Sequence, residues 1–514
     1  MTHGMHQSES LSHPSRYGDL RLRHVRIGTQ AAPQPVDLVI RDGIIAAIDP
    51  PAAAAPRAGE TVIEAGALVA FPGFVNAHAH SNEQFEQGAY EGEPLEVWLA
   101  MAYPPLGGMK VPARWHYLRA MMLAMQSLRS GVTALHDDFL NPALDAAALE
   151  STLDAYEDAG IRATVAVTLA DRGYLDGIPA AREHLPRDLA RQLDAVPVAP
   201  LSAQQAHFEE ALCRLAARRS RRLALSLGPR GPQRCTPELL RLVARLSAEH
   251  KVPVHMHVLE SRVQALTAQQ QHGRSFIEVL DQHGLLGRSL SLNHAIWLTE
   301  ADIGLIARRG ARVVHNPLSN LKLASGLCPV GSLLESGVEV ALGTDGAATG
   351  DSVDYLDSLR MAALLHRLHP QAAPPTAADV VTMATTTGAA TMGQSSSMSG
   401  LQVGSRADIT LFDATDPAFV PLNDPQRQLC YAATSRSVHT VIVDGQVVYH
   451  HGRCVLVDED TLRHEIAQAA DAFREQRLRM RGRPDPLLRA LQAMTDEARA
   501  PAQRLFTLNR IQLP

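Results

Sequence analysis

Two histidines stand two residues apart at the end of the run FPGFVNAHAH, His78 and His80. Further along come His255, His257 and Glu260 in VHMHVLES, His294 in LNHAIWL, His315 in VVHNPLSN and Asp345 in ALGTDGA. Each closes an apolar segment, so each falls at the end of an expected strand. Residues i and i+2 of a strand share a side, so His78 and His80 aim the same way. Imidazole and carboxylate groups converging on one point suit Zn²⁺ or Fe²⁺, with an open position left for water. For His78, His80, His257 and Asp345 together, accidental placement at three strand ends is a poor competing explanation. His255 shares a side with His257 but sits one layer deeper, as expected of support. His315 is either a support or a substrate contact. His136, His366 and His369 read as ordinary barrel histidines, and Cys328 as packing.

Such groups meet only if the strands share one sheet. Between about 68 and 400 apolar strands alternate with helices, which implies βα units and a parallel sheet. Eight strands are expected, at 68–78, 132–137, 163–170, 222–227, 252–259, 289–297, 311–315 and 338–344. The helix signals between them are Ser202-x-x-Gln205 as a capping box, Thr236 capping Pro237, and Thr299 opening a helix stopped by Gly310. The fold class is α/β, a (β/α)8 TIM-type barrel, whose site must lie at the C-terminal strand ends. Segments 20–67 and 401–460 are β-rich, with two-residue hairpin signals at Asp42-Gly43 and Asp444-Gly445. They are expected to pair as one small β-sandwich built from both flanks. Residues 1–19 read as a mobile extension, 50–58 as a loop, and 461–514 as a helical tail that docks or serves as a dimer arm, with no part in the chemistry. Pro484 and Pro486 interrupt that tail, and Leu487–Arg499 is amphipathic.

Composition narrows the class. In 514 residues, a net charge of −6 offers no basic field for nucleic acid. Five cysteines without a C-x-x-C pair point to a reducing compartment and against a disulfide scaffold. There is no secretory h-region and no run long enough for a membrane span, so a cytoplasmic protein is expected.

The segments Pro72–His80, His257-x-x-Glu260, His315-Asn316-Pro317-x-Ser319-Asn320-Leu321-Lys322-Leu323 and Gly343-Thr344-Asp345-Gly346 resemble the amidohydrolase superfamily in order and placement. Within it they look like the branch of cytosine, guanine and nucleoside deaminases and triazine hydrolases. The resemblance covers roughly 20–460 and implies one divalent metal on His78, His80, His257 and Asp345, where a bound water ionises near about pH 7. No strand-four lysine is present to bridge two metals, so a mononuclear site is implied. It also implies Glu260 as proton shuttle to a ring nitrogen, Asp345 as acceptor of the water's proton and His294 as the group polarising the attacked carbon or steadying its oxyanion. Trp98, in EPLEVW, would stack on a ring or else fill the core. Arg230 would meet an anionic or carbonyl group or else lie on the surface, and Asn320 would order its loop.

The activity so implied is hydrolytic deamination of an amino-substituted purine, pyrimidine, pterin or triazine. One alternative is a relative cleaving another C–N bond or displacing another leaving group, and another is a non-catalytic barrel. The partner is then a small heterocycle, with a homo-oligomer as a further expectation by analogy.

Overall fold

The computed structural model describes residues 19–30, 32–50, 56–368, 372–393, 400–480 and 486–499. The N-terminal histidines, His369, most of the 50–58 loop and Pro484 lie outside the described residues. Strands β1 (Leu20–Ile27), β2 (Pro35–Arg41), β3 (Ile44–Asp49), β4 (Thr61–Glu64) and β5 (Leu68–Pro72) precede a second series. That series is β6 (Phe74–His80), β7 (Val132–Asp137), β8 (Arg162–Leu169), β9 (Leu223–Pro229), β10 (Val254–Val258), β11 (Leu290–His294), β12 (Arg312–His315), β13 (Val340–Leu342) and β14 (Asp345–Gly346). The chain returns with β15 (Ile409–Asp413), β16 (Val438–Val443), β17 (Gln446–His450) and β18 (Arg453–Cys454).

Strands β6 to β13 pair in chain order, and the parallel sheet curls until β14 pairs with β6, Asp345 opposite Ala79. Since β13 and β14 are two pieces of one strand, the last of eight strands lies against the first. The interruption at Gly343-Thr344 carries Thr344 N–H to the His78 carbonyl at 3.2 Å.

Both flanks join in one mixed sheet, in the order β18-β17-β16-β15-β5-β1-β2-β3, with β4 on β1. The expected strand 68–78 is therefore two. Leu68–Pro72 belongs to the flanking sheet, the chain crosses at Gly73, and only Phe74–His80 enters the barrel-like sheet. A Cβ on Gly73 would lie 2.1 Å from the Thr133 hydroxyl, so only glycine permits the crossing. Arg162, fully buried, holds the sheets together through Asp408 at 3.0 and 3.2 Å. Asp42-Gly43 and Asp444-Gly445 form the hairpin turns, with φ of 48° and 77°, then 53° and 77°.

Thr236 caps the helix Pro237–His250, and Thr299 with Asp302 forms a capping box on Glu300–Arg309. Ser202 is not a cap: the helix Leu201–Arg218 starts one residue earlier, after Pro200, whose extended backbone sets the entry. Of the two expectations for the tail, the described helices show docking on this chain. Helix Glu459–Met480 packs on Ala113–Arg129, and Pro486–Arg499 packs on Leu95–Ala102 and Arg262–His272. Leu487, Ala490, Leu491, Met494 and Ala498 join Val97 and Ala100 in one apolar cluster. Among the described residues no helix is long and apolar enough to cross a membrane.

Candidate active site

At the C-terminal ends of β6, β10, β11 and β14 the imidazoles gather. Ring centroids of His78 lie 4.7 Å from His80, 4.8 Å from His257 and 5.4 Å from His294. Two overlapping sets of ligand atoms result, each within 4.8 Å: His78, His80, Asp138 and His257, and His78, His294 and Asp345. The quartet expected from sequence is thus spread over two sets sharing His78. Asp345 bridges them, its Oδ1 3.5 Å from His78 Nε2 and 3.2 Å from His80 Nε2.

Several devices fix these rings. His78 Nδ1 lies 2.7 Å from His255 Nε2, and His255 Nδ1 lies 2.9 Å from Ser291 Oγ, so His255 orients the His78 ring from below. His136 stacks on His255 at 3.9 Å. His80 Nδ1 meets the Asp138 carbonyl at 2.8 Å, and His257 Nδ1 lies 3.3 Å from Asp138 Oδ2. His294 Nδ1 sits 2.8 Å from Asn320 Oδ1, turning Nε2 toward Glu260 Oε2 at 3.7 Å and Asp345 Oδ2 at 3.9 Å. The Ser319 hydroxyl donates to Asp345 Oδ2. His294 and Asp345 both adopt left-handed backbone, φ 68° and 63°, a strain of order 1–3 kcal/mol each that surrounding contacts must sustain. A Cβ on Gly346 would fall 1.7 Å from Glu83 Oε2, so any other residue there would displace the Glu83 carboxylate.

The electrostatics are those of a buried, crowded site. Burial lowers the His78 pKa to about 3. Burial opposes ionisation of Asp345, yet its contacts with His78 and His80 outweigh this and hold its carboxyl well below the usual range. Burial, then the Asp345 charge, pushes Glu260 well above it. Burial likewise raises Glu83 to about 8 and Asp138 to about 6. The buried Nε2 atoms of His78 and His294 lack hydrogen-bond partners. Unpartnered imidazole nitrogens beside an ionised carboxylate make a donor set fitted to a divalent transition metal.

The remaining expected residues separate. Trp98 is buried against Tyr90 and Tyr103, with its Nε1 unpartnered. Arg230 is half-buried; burial lowers its pKa, opposed by the charge of Asp138. His315 pairs with His366 at 3.1 Å, behind His294 and outside both ligand sets. Asp138, Glu83 and Ser319 were not anticipated. The Asp137-Asp138 pair at the end of β7 was the available signal, since it occupies a strand end like those of the histidines.

The amidohydrolase family model matches residues 69–448. The chain belongs to the amidohydrolase family. This amidohydrolase is 32% identical over 439 residues to a 5-methylthioadenosine/S-adenosylhomocysteine deaminase of Desulforudis audaxviator, covering 84% of this chain and 94% of that one. It is 31% identical to a 5'-deoxyadenosine deaminase of Methanopyrus kandleri, covering 78% and 86%. A zinc-bound adenosine deaminase from Xanthomonas campestris superposes with a TM-score of 0.77 at 26% identity, covering 89% of this chain and 98% of that one.

Proposed function

We propose that this amidohydrolase is a mononuclear metal-dependent deaminase of an amino-substituted purine, with 5'-modified adenosines as the favoured class. One observation carries the proposal: Glu260 and His294 converge on the same point as the His78, His80, His257 and Asp345 cluster, and relatives at 31–32% identity are named as adenosine-type deaminases. His78, His80, His257 and Asp345 would hold the ion, with Asp138 bracing His80 and His257. A divalent ion there would lower the pKa of coordinated water and supply a nucleophile at neutral pH. The donor set suits either zinc or iron, and the zinc-bound neighbour favours zinc.

Asp345, ionised, accepts the proton lost from the attacking water. Glu260, its pKa raised by burial, is the group that donates a proton to the ring nitrogen next to the attacked carbon. His294, held by Asn320, faces the oxygen that develops charge. Proton transfer to the departing amino group then releases ammonia, so that amine plus water gives carbonyl plus ammonia. Trp98 and Arg230 are assigned to the substrate side. The flanking segments, 20–72 and 401–460, are read as a small sandwich-like domain beside a (β/α)8 barrel over 74–400, in a protein of the reducing cytoplasm.

The test is ammonia release from a panel of adenosines, guanine, cytosine, pterins and triazines, with Glu260→Gln alongside. The variant should keep its metal and lose about 10²–10⁴-fold in turnover. Full activity in the variant, or release of a different leaving group without ammonia, would contradict the assignment.

A further inference from the structure

A second group of imidazoles lies in the flanking sheet, away from the strand ends just described. His439, His450 and His451 each offer a ring nitrogen within 4.8 Å of the others. Their ring centroids are 4.2 Å apart for His439 and His451, 4.2 Å for His450 and His451, and 5.3 Å for His439 and His450.

Two irregularities of the backbone create the group. His439 is the extra residue of a β-bulge, because consecutive Leu411 and Phe412 of β15 pair with Thr440 and Val438 of β16. A bulge re-aims a side chain that regular pleating would send to one face. His451 opens the two-residue turn between β17 and β18, with φ of 45°, followed by Gly452 at 84°. Turns of this hand favour Asn-Gly and Asp-Gly. The two other hairpins, at Asp42-Gly43 and Asp444-Gly445, follow that preference, whereas this one places an imidazole there. The His451 N–H donates to the His439 carbonyl at 3.0 Å, fixing turn against bulge.

Thr440 Oγ1 lies 2.8 Å from His439 Nδ1 and 2.9 Å from His450 Nδ1. A hydroxyl oxygen has two lone pairs and can accept from both Nδ1–H groups, which fixes the two rings relative to each other. His439 and His450 are half-buried and His451 is exposed, so the group is open to solvent.

We propose that His439, His450 and His451 form a second metal site that takes a borderline transition-metal ion, Zn²⁺ foremost. An all-imidazole donor set suits Zn²⁺, Cu²⁺ or Ni²⁺ and does not suit Mg²⁺ or Ca²⁺, which require oxygen. The bound ion ties β16 to the turn after β17 and is independent of the catalytic cluster.

The full chain, stripped and then dialysed against micromolar Zn²⁺, should bind one equivalent more than His451→Asn or His439→Asn. Asparagine tolerates the left-handed backbone, so the fold of His451→Asn is preserved. Zn²⁺ should also raise the melting temperature of the parent chain more than that of His451→Asn. A catalytic cluster that fails to load changes both counts equally and leaves their difference intact. Equal stoichiometry in parent and variants would overturn the proposal. So would an extra equivalent lost only on His3→Gln, His6→Gln and His13→Gln together, or binding confined to millimolar zinc, which marks an adventitious ion only.

Discussion

Arg477→Met probes the C-terminal helix that sequence had set apart from the chemistry. Arg477 Nη2 lies 2.9 Å from Glu86 Oε1 and donates to the Tyr90 hydroxyl and the Met101 carbonyl. Glu86 ends the turn Ser81–Glu86 that follows His80 directly, and Met101 lies in Leu95–Ala102, the helix carrying Glu96 and Trp98. One guanidinium therefore clamps the ligand-bearing strand end to the helix on the proposed substrate side. Its side chain is 11% exposed and that of Glu86 7%, so water replaces the lost contacts poorly. Removing one partner of a buried ion pair costs about 3–5 kcal/mol, and the slight exposure here favours the lower end, about 3 kcal/mol. Methionine keeps most of the aliphatic stem, which confines the loss to the charge and its hydrogen bonds. Denaturant unfolding should show that loss, and KM should rise roughly tenfold with metal content unchanged. A loss below about 1 kcal/mol, the range of exposed pairs, together with an unchanged KM would refute the idea that the tail shapes the site.

Asn320→Ala removes the acceptor of His294 Nδ1. The expected cost is about 1–3 kcal/mol, read as a roughly 10–100-fold fall in kcat with little change in metal content. His136, held neutral with a pKa lowered by burial to about 3, makes stability depend on pH. The unfolded chain takes up its proton near pH 6.5 while the folded chain does not, so stability is full above 6.5 and falls as pH drops toward 3. Between pH 7 and 4.5 this one group accounts for about 3 kcal/mol, and His136→Gln in the metal-free form should lose less stability than the parent by that amount.

Much of the site was legible because strand ends carry chemistry in a short code. His78 and His80 obey the period of two, and Asp345 follows a short apolar run, so their convergence is implied by the sequence itself. The boundary at Gly73 is marked in sequence by the strand-breaking pair Pro72-Gly73, but that pair alone does not say that the two halves join different sheets. The Asp137-Asp138 pair reads equally well as a solvated rim until the fold sets it against His257. For Pro486–Arg499, periodicity reveals an apolar face but not its partner, which is the helix bearing Trp98. His315 is expected as either a support or a substrate contact, and its partner His366 is 51 residues distant, a pairing no local pattern encodes.

The most direct measurement is ammonia release from 5'-modified adenosines by the zinc-loaded chain, before and after chelation and after zinc is restored. One ammonia per amino group converted to carbonyl, lost with the metal and recovered with it, is the predicted result. A chain that carries zinc at the His78, His80 and His257 cluster yet releases no ammonia from any amino-substituted heterocycle would contradict the assignment.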